Sequence, residues 1–164
     1  MGRADQQGHD ASTARPIVRP PLLFLACLIL GLVLDRVWPL PIALPGTMLL
    51  RWTVGGGLIV PGVAIFAAGV RNFSVAATPV PSSRPVQALV TTGIHGVSRN
   101  PIYVGMFLIY VGVGAAALSP WVLILVLPVA VIMRYGVVAR EEAYLERRFG
   151  DAYRDYRVRV RRWL

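Results

Sequence analysis

Two polar motifs with chemically capable side chains border the last two apolar segments of this chain. The first contains Arg99-Asn100-Pro101, and the second begins at Glu141-Glu142. A proline suits the first turn of a helix, and the free amides of that turn can receive an anionic or polar group; simple capping by the asparagine is the alternative. Paired carboxylates beside a membrane segment bind a cationic group or form an ordinary ion pair. The motifs therefore indicate chemistry at a bilayer surface.

The composition places the chain in the class of integral membrane proteins. Its 164 residues are 55% hydrophobic, and the mean hydropathy is +0.60. An ordinary soluble domain of this length is less apolar than this. Polar residues 1–20 are typical of a disordered tail, and residues 21–164 are predicted to form one membrane domain. Any chemistry must take place on that domain, because the length leaves no room for a separate soluble module.

The apolar segments predict an all-α bundle of about four transmembrane helices. The expected spans are 21–38, 52–70, 102–118 and 121–138, each close to the length that crosses a bilayer. Only Ser119-Pro120 separates the last two spans, so they must form a tight antiparallel hairpin. Glycines in the second span predict close helix packing or a kink, and Pro128 predicts a kink in the fourth span.

The charge pattern indicates an orientation and a partner. The net charge is +9, all 17 basic residues are arginines, and nine of them lie from Arg134 to the C-terminus. Arginine is also enriched before the first span and in the 71–101 connection, so both termini and this connection are predicted to be cytoplasmic. A basic tail beside a membrane favours contacts with anionic lipid and not with nucleic acid. The all-arginine composition is typical of a high-GC bacterium, which predicts its inner membrane.

The connection between the second and third spans is longer than most loops, and long ordered loops are usually functional. It contains four prolines, which predict an extended stretch followed by a short turn or half-helix over residues 86–90. Gly93 and Gly96 allow the backbone to approach a ligand closely. The lone Cys27 lies in an apolar run, so no disulfide or metal site is predicted.

The C-terminal segment is predicted to form amphipathic helices over residues 140–164. Gly150 divides them. In the second helix, Tyr153, Tyr156, Val160 and Trp163 follow one another at spacings of three, four and three, which gives one apolar stripe among arginines. This pattern favours an interfacial helix that lies on anionic lipid.

The order of these motifs resembles the isoprenylcysteine carboxyl methyltransferase and phospholipid methyltransferase superfamily. The matching features are Arg-Asn-Pro-x-Tyr-x-Gly from Arg99, an apolar hairpin, and Glu-Glu-x-x-Leu-x-x-x-Phe-Gly-x-x-Tyr-x-x-Tyr-x-x-x-Val-x-Arg from Glu141. The resemblance extends from about Thr78 to Trp163. It implies a small bundle of membrane helices whose cytosolic end binds S-adenosylmethionine. This cofactor site would differ from that of the soluble methyltransferases; the Gly-x-Gly triplets of this chain lie inside predicted apolar spans and not in the strand–turn–helix setting of their fingerprint.

The resemblance also assigns expected roles to individual residues. A lipid-like substrate would enter laterally between helices, with Arg134 or Arg140 near its polar head group. The chain departs from the family pattern at two positions, where Asn100 replaces a histidine and His95 replaces a tyrosine. The residues expected to bind the cofactor are Gln87, Leu89, Val90, His95, Asn100, Pro101, Ile102, Tyr103 and Glu141.

Three functions remain open from the sequence. The first is methylation of the carboxylate of an isoprenylcysteine-like or other lipid, which an arginine would hold. The second is N-methylation of a phospholipid amine, which needs a base, for which Glu142 or His95 is the candidate. The third is a non-enzymatic protein that binds lipid or a partner. Because prenylated proteins are uncommon outside eukaryotes, a small lipid acid, isoprenoid or amine is favoured over a protein substrate.

Overall fold

The computed structural model describes residues 16–41, 47–80 and 85–164, and about three quarters of these residues are helical. The predicted disordered tail lies outside this part of the chain, apart from residues 16–20. The described elements are α1 (Pro20–Val37), α2 (Met48–Val75), a 3₁₀ turn (Gly93–Gly96), α3 (Pro101–Ala117), α4 (Pro120–Val131), a π-helical segment (Ile132–Val138), α5 (Ala139–Phe149) and α6 (Asp151–Arg159). The predicted all-α architecture is confirmed.

Three of the described helices are long and apolar enough to cross a membrane. They are α1, α2 and the continuous helix Pro120–Phe149, while the apolar helix α3 is shorter, with 17 residues. Helix α2 begins four residues before the predicted span and ends five residues after it. The five additional residues at its C-terminal end extend α2 toward the connection that contains the first motif.

Helices α2 and α3 pack against each other through glycines that each helix contributes to the contact. Gly55 and Gly62 of α2 are seven residues apart, as are Gly105 and Gly112 of α3, which places each pair on one helix face. A Cβ added at Gly105 would lie 2.6 Å from the Gly62 carbonyl oxygen, and one at Gly112 would lie 2.9 Å from the Gly55 carbonyl oxygen. The predicted close packing is therefore confirmed, and it fixes α3 beside α2 along their lengths.

The short connection between α3 and α4 is closed by polar groups. Ser119 accepts a hydrogen bond from the Val122 backbone amide at 3.1 Å and also bonds the Asp35 carboxylate of α1. Arg51 of α2 donates to the Ala116 carbonyl oxygen at 2.8 Å, which satisfies an acceptor that the end of α3 leaves open. The tight hairpin predicted from Ser119-Pro120 is present, and it lies at the end of the bundle opposite to the motifs.

The helix that begins at Pro120 changes character along its length. Pro128 is retained within it, and four residues later the backbone widens into the π-helical segment. Its apolar part ends at Val138, whereas α5 is rich in arginine and glutamate. We therefore take Pro120–Val138 as the membrane-spanning part and α5 as its extension beyond the bilayer.

Three local predictions differ from the structure. Residues 86–90 bend at 87–88 but form no half-helix, and the helical turn of the connection lies instead at Gly93–Gly96. Helix α6 ends at Arg159, so the predicted C-terminal helix is five residues too long. Its apolar stripe does not lie on lipid, because Tyr153, Tyr156 and Val160 are buried against Leu89, Leu145 and Phe149 of the same chain.

Candidate active site

The end of the chain is fastened to the first motif by backbone and side-chain hydrogen bonds. The Arg99 amide donates to the Arg161 carbonyl oxygen at 2.9 Å, and Asn100 Nδ2 donates to the Arg162 carbonyl oxygen at 2.9 Å. Ser98 and Arg161 form an isolated parallel bridge. Asn100 therefore does not cap α3 with its side chain, and the capping alternative is wrong. The tail holds the start of α3 in place.

Other hydrogen bonds hold the connection over the same end of the bundle. Tyr144 of α5 accepts from the Val86 amide at 3.1 Å, and Thr78 Oγ1 accepts from the Gln87 amide at 2.8 Å. Tyr156 of α6 donates to the His95 carbonyl oxygen at 2.7 Å. Because α5 and α6 both contribute partners and Thr78 bonds within the connection, the described part of the connection forms a wall over this end of the bundle.

A cavity lies between the connection, the first turn of α3, and helices α5 and α6. Its volume, with the space open to solvent included, is about 610 Å³. Most of its lining is apolar or aromatic, with a few polar groups that converge on it. Its lining residues are Phe73, Val80, Val86, Ala88, Leu89, Val90, His95, Arg99, Asn100, Pro101, Ile102, Tyr103, Glu141, Glu142, Leu145, Tyr153 and Tyr156.

Glu141 brings a buried carboxyl group into this cavity. Its Oε1 accepts a hydrogen bond from the Tyr103 hydroxyl at 2.7 Å, and the residue is 5% exposed. Burial raises the pKa of Glu141 to about 7, since the charged form loses hydration; the Tyr103 hydrogen bond opposes this rise and the neighbouring Glu142 charge adds to it. A cation placed beside Glu141 would favour its ionised form.

Glu142 is neutralised by two arginines from different segments. Arg162 donates from Nε to Oε1 at 3.0 Å and from Nη2 to Oε2 at 2.7 Å, and Arg99 Nη2 lies 3.2 Å from Oε1. The ion-pair interpretation is therefore correct for Glu142, although this pair is buried and not at the surface. It joins α5 to the start of α3 and to the tail.

His95 lies in the wall of the cavity and is 3% exposed. The Asn72 amide nitrogen lies 3.3 Å from His95 Nδ1 and donates to the Thr92 carbonyl oxygen at 2.8 Å, and the Phe73 ring packs edge-on against the imidazole. Burial lowers the pKa of His95 to about 4. The imidazole is therefore neutral at pH 7, with Nδ1 as acceptor and Nε2 free to carry the proton.

The cavity unites most of the residues that the sequence predicted for a cofactor. All of them line it except Gln87, whose backbone amide is directed to Thr78. Of the predicted catalytic residues, Glu142 lines the cavity, whereas Arg134 and Arg140 are exposed and do not. The guanidinium of Arg134 lies 5.5 Å from the centre of the Tyr135 ring. These two arginines lie on the outer surface of the π-helical segment and α5.

Sequence reasoning assigned no site role to Arg99, Tyr153 or Tyr156, which also line the cavity. Arg99 stands in the first motif, but an arginine near a membrane was interpreted only as an orientation signal. The two tyrosines were interpreted as a lipid-facing stripe, because periodicity identifies an apolar face without naming what covers it. The available signal was their place in the motif that carries the family resemblance, where both tyrosines follow Phe149-Gly150 at fixed spacing.

Most of the residues that line this cavity lie in a segment that is similar to a known protein family. Residues 50–152 match a family model described as phospholipid methyltransferase. A 27-residue segment is 67% identical to an uncharacterized protein of Haemophilus influenzae; this segment is 16% of the present chain and 43% of that protein. The match therefore spans less than half of that curated relative. No solved structure matches the chain.

Proposed function

Because this chain belongs to the phospholipid methyltransferase family, within the superfamily that also includes the isoprenylcysteine enzymes, we propose that it is a membrane methyltransferase that uses S-adenosylmethionine. The acceptor we propose is a lipophilic molecule that reaches the cavity from the bilayer. The observation that carries this proposal is the buried Glu141 carboxyl group, which shares a cavity with the first turn of an apolar helix.

The residues present fit S-adenosylmethionine. This molecule carries a sulfonium, an ammonium and a carboxylate beside a flat adenine. Glu141 supplies a negative charge for a cationic group, and the Arg99 guanidinium has buried N–H groups without an acceptor among the described residues. Phe73, Tyr153 and Tyr156 supply aromatic surface against which the adenine can pack. The cavity thus offers partners for each chemical part of the cofactor.

The work left to the protein is binding, orientation and exclusion of water. When bound, S-adenosylmethionine supplies a methyl group already activated by its sulfonium. Glu141, held by Tyr103, would fix the cationic part of the cofactor, while the tail and α6 close the cavity on its aqueous side. Alignment of this kind lowers the entropic part of the barrier. No side chain of this chain has to become methylated.

An apolar groove along α3 offers a route for the acceptor chain. It is lined by Phe24, Leu25, Leu28, Phe66, Met106, Ile109, Tyr110 and Val113, with an empty volume of about 580 Å³. Met106 and Tyr110 follow Tyr103 at three and seven residues, so the three side chains share one face of the helix. A lipid chain in this groove would direct its polar end toward Tyr103 and the cavity.

Two classes of acceptor are proposed, and different observations favour them. A phospholipid amine agrees with the description of the matching family model. The carboxylate of an isoprenylcysteine-like or other lipid needs a cation to hold it. Arg134 is exposed at the lipid-facing surface, where it could attract a carboxylate that arrives from the bilayer. Methylation of an amine releases a proton, whereas methylation of a carboxylate does not.

The proposed location follows from charge. Arginines surround the cavity end of the bundle, so the positive-inside rule favours a cytoplasmic site, where S-adenosylmethionine is made. For the same reason, the basic α6 and tail are proposed to contact anionic lipid head groups, and the membrane is proposed to be the inner membrane of a bacterium.

The proposal is tested with purified protein and S-adenosylmethionine that carries a tritiated methyl group. Incubation with a total lipid extract should transfer label to the organic phase, and an Arg99→Gln, Glu141→Gln double variant should transfer none. Mild alkali then separates the acceptor classes, because methyl esters release volatile methanol and N-methyl groups do not. A folded protein that binds no S-adenosylmethionine would favour the non-enzymatic alternative.

A further inference from the structure

The guanidinium of Arg99 is buried but incompletely bonded. Its side chain is 9% exposed, and Nη2 pairs with Glu142 Oε1 at 3.2 Å. Nε and Nη1 have no partner in hydrogen-bond geometry within the described part of the chain, although the Tyr153 side chain lies close to the guanidinium. A buried charged donor without an acceptor is costly, so such groups are rarely left unbonded in a working protein. The side chain lines the cavity, which means that a ligand there can supply the missing acceptor.

The charges around Arg99 favour an anion. Arg99 and Arg162 carry two positive charges, and Glu142 between them carries one negative charge, so this cluster retains one net positive charge. Arg162 does not line the cavity. Within this cluster, Arg99 and Glu142 line the cavity, so Arg99 is the positive group that a ligand there can reach, and guanidinium groups match carboxylates particularly well.

The position of Arg99 in the fold indicates which anion it meets. It lies two residues before α3, on the aqueous side of the first helical turn, and Tyr153 and Tyr156 of α6 enclose the same part of the cavity. The apolar groove for an acceptor chain runs in the opposite direction, toward Tyr110. An acceptor that enters from the bilayer reaches Tyr103 before Arg99, so Arg99 lies on the side of the cofactor.

We propose that Arg99 binds the carboxylate of the methionine part of S-adenosylmethionine. This inference rests on the proposed function and assigns the anionic end of its cofactor. With Glu141 available for the cationic part, the cavity would distinguish the two ends of the amino acid by charge. Arg99 would thus contribute to recognition of the cofactor and not of the acceptor.

Decarboxylated S-adenosylmethionine is the matched probe, because it keeps the sulfonium, the ammonium and the adenine. Calorimetry on the detergent-purified protein should show that it binds about tenfold or more weakly than S-adenosylmethionine, the loss expected for one charge-assisted contact. This comparison needs no mutation, so it does not depend on how well a variant folds. Equal affinity for the two molecules would overturn the inference while leaving the proposed function intact.

Two variants assign the effect to one residue. In Arg99→Gln, affinity for S-adenosylmethionine should fall about tenfold or more, while affinity for the decarboxylated molecule stays close to that of the natural protein. Arg162→Gln weakens the same Glu142 cluster but should keep the preference for the carboxylate. If Arg99→Gln instead bound S-adenosylmethionine normally and raised only the acceptor KM, Arg99 would belong to the acceptor and the inference would be wrong. Failure of the natural protein to bind either molecule would reject the proposed function as well.

Discussion

The hydroxyl of Tyr103 donates to Glu141 at 2.7 Å, although the two residues are 38 positions apart in the chain. Tyr103 lies in the first turn of α3, and Glu141 lies just beyond the apolar part of the following long helix. The bond therefore closes the polar end of the α3–α4 hairpin. It also holds a carboxyl group at the depth where an apolar acceptor and a polar cofactor would meet.

Glu141→Gln removes the charge and keeps an oxygen that can accept from Tyr103. We expect this change to weaken binding of S-adenosylmethionine about tenfold to hundredfold, because hydrogen bonds to charged groups contribute roughly 1.5–3 kcal/mol. Calorimetry measures the change. Glu146→Gln is the matched control, since Glu146 pairs with Arg157 outside the cavity. Similar affinities for the two variants would contradict a role for Glu141 in binding.

The pKa of Glu141, raised to about 7 by burial, predicts that binding depends on pH. A cation needs the ionised carboxylate, so affinity should increase from pH 6 to pH 8 by about tenfold in total, with most of the increase between pH 6 and pH 7. The Glu141→Gln variant should show a flat profile over this range. A profile of the same shape in both proteins would assign the pH dependence to another group.

The raised pKa of Glu141 also affects the stability of the fold, which depends on pH in the opposite direction to cofactor binding. The folded state binds a proton on Glu141 more tightly than the unfolded state, whose pKa is near the ordinary value of 4.5. Its contribution to stability is therefore fully present below about pH 4.5 and is lost as pH rises through about 7. Binding and stability respond to pH in opposite directions, which allows the two effects to be separated.

The sequence predicted much of the site because its residues belong to contiguous motifs. Pro101, Ile102 and Tyr103 follow one another in a helical turn, and Glu141 comes directly after an apolar run, so local pattern was sufficient. The burial of the apolar stripe on α6 against protein could not be predicted from local pattern. Tyr153 and Tyr156 are buried by the connection and α5, and an apolar stripe looks the same whether lipid or protein covers it.

The positions of the arginines illustrate a second limit of the sequence. Arg134 and Arg140 flank the predicted site in the chain, yet both are exposed. Arg99 and Arg162 meet at Glu142 because the last five residues turn back along the start of α3. This path of the last residues depends on hydrogen bonds between groups more than 60 residues apart in the chain. The periodicity of apolar residues gives no information about such contacts. The order and positions of the apolar helices were predicted well, whereas the full length of α2 and the path after Arg159 were not.

Glu142→Ala tests the buried ion cluster. It would leave the Arg99 guanidinium, with its side chain 9% exposed, without a compensating charge, and breaking such a pair costs about 3–5 kcal/mol. Arg162→Gln should cost less, roughly 1 kcal/mol, because Arg162 remains one-third exposed. Thermal unfolding in detergent measures both changes. Equal unfolding temperatures for the two variants would show that Glu142 is not the centre of the cluster.

Arg134→Ala separates cofactor binding from turnover. The residue is exposed and does not line the cavity, so affinity for S-adenosylmethionine should not change. If Arg134 attracts the acid group of an acceptor, the variant should raise the acceptor KM by about threefold to tenfold. Steady-state kinetics with varied lipid measures this effect. An unchanged KM would remove Arg134 from the site and favour the amine acceptor.

Gly105→Ala tests the contact that fixes α3 beside α2. Its new Cβ would lie 2.6 Å from the Gly62 carbonyl oxygen and 2.7 Å from the Phe66 amide nitrogen. Both neighbours are backbone atoms, so the helices would have to move apart, at a cost of about 1–3 kcal/mol. Gly57→Ala is the matched control, because nothing lies within 4 Å of its Cβ position and alanine favours a helix by up to about 1 kcal/mol. Thermal unfolding should therefore shift downward for the first variant and stay level or rise for the second. Tyr103 lies two residues before Gly105, so Gly105→Ala should also weaken cofactor binding. Normal cofactor binding in a destabilised protein would mean that the tail alone positions the start of α3.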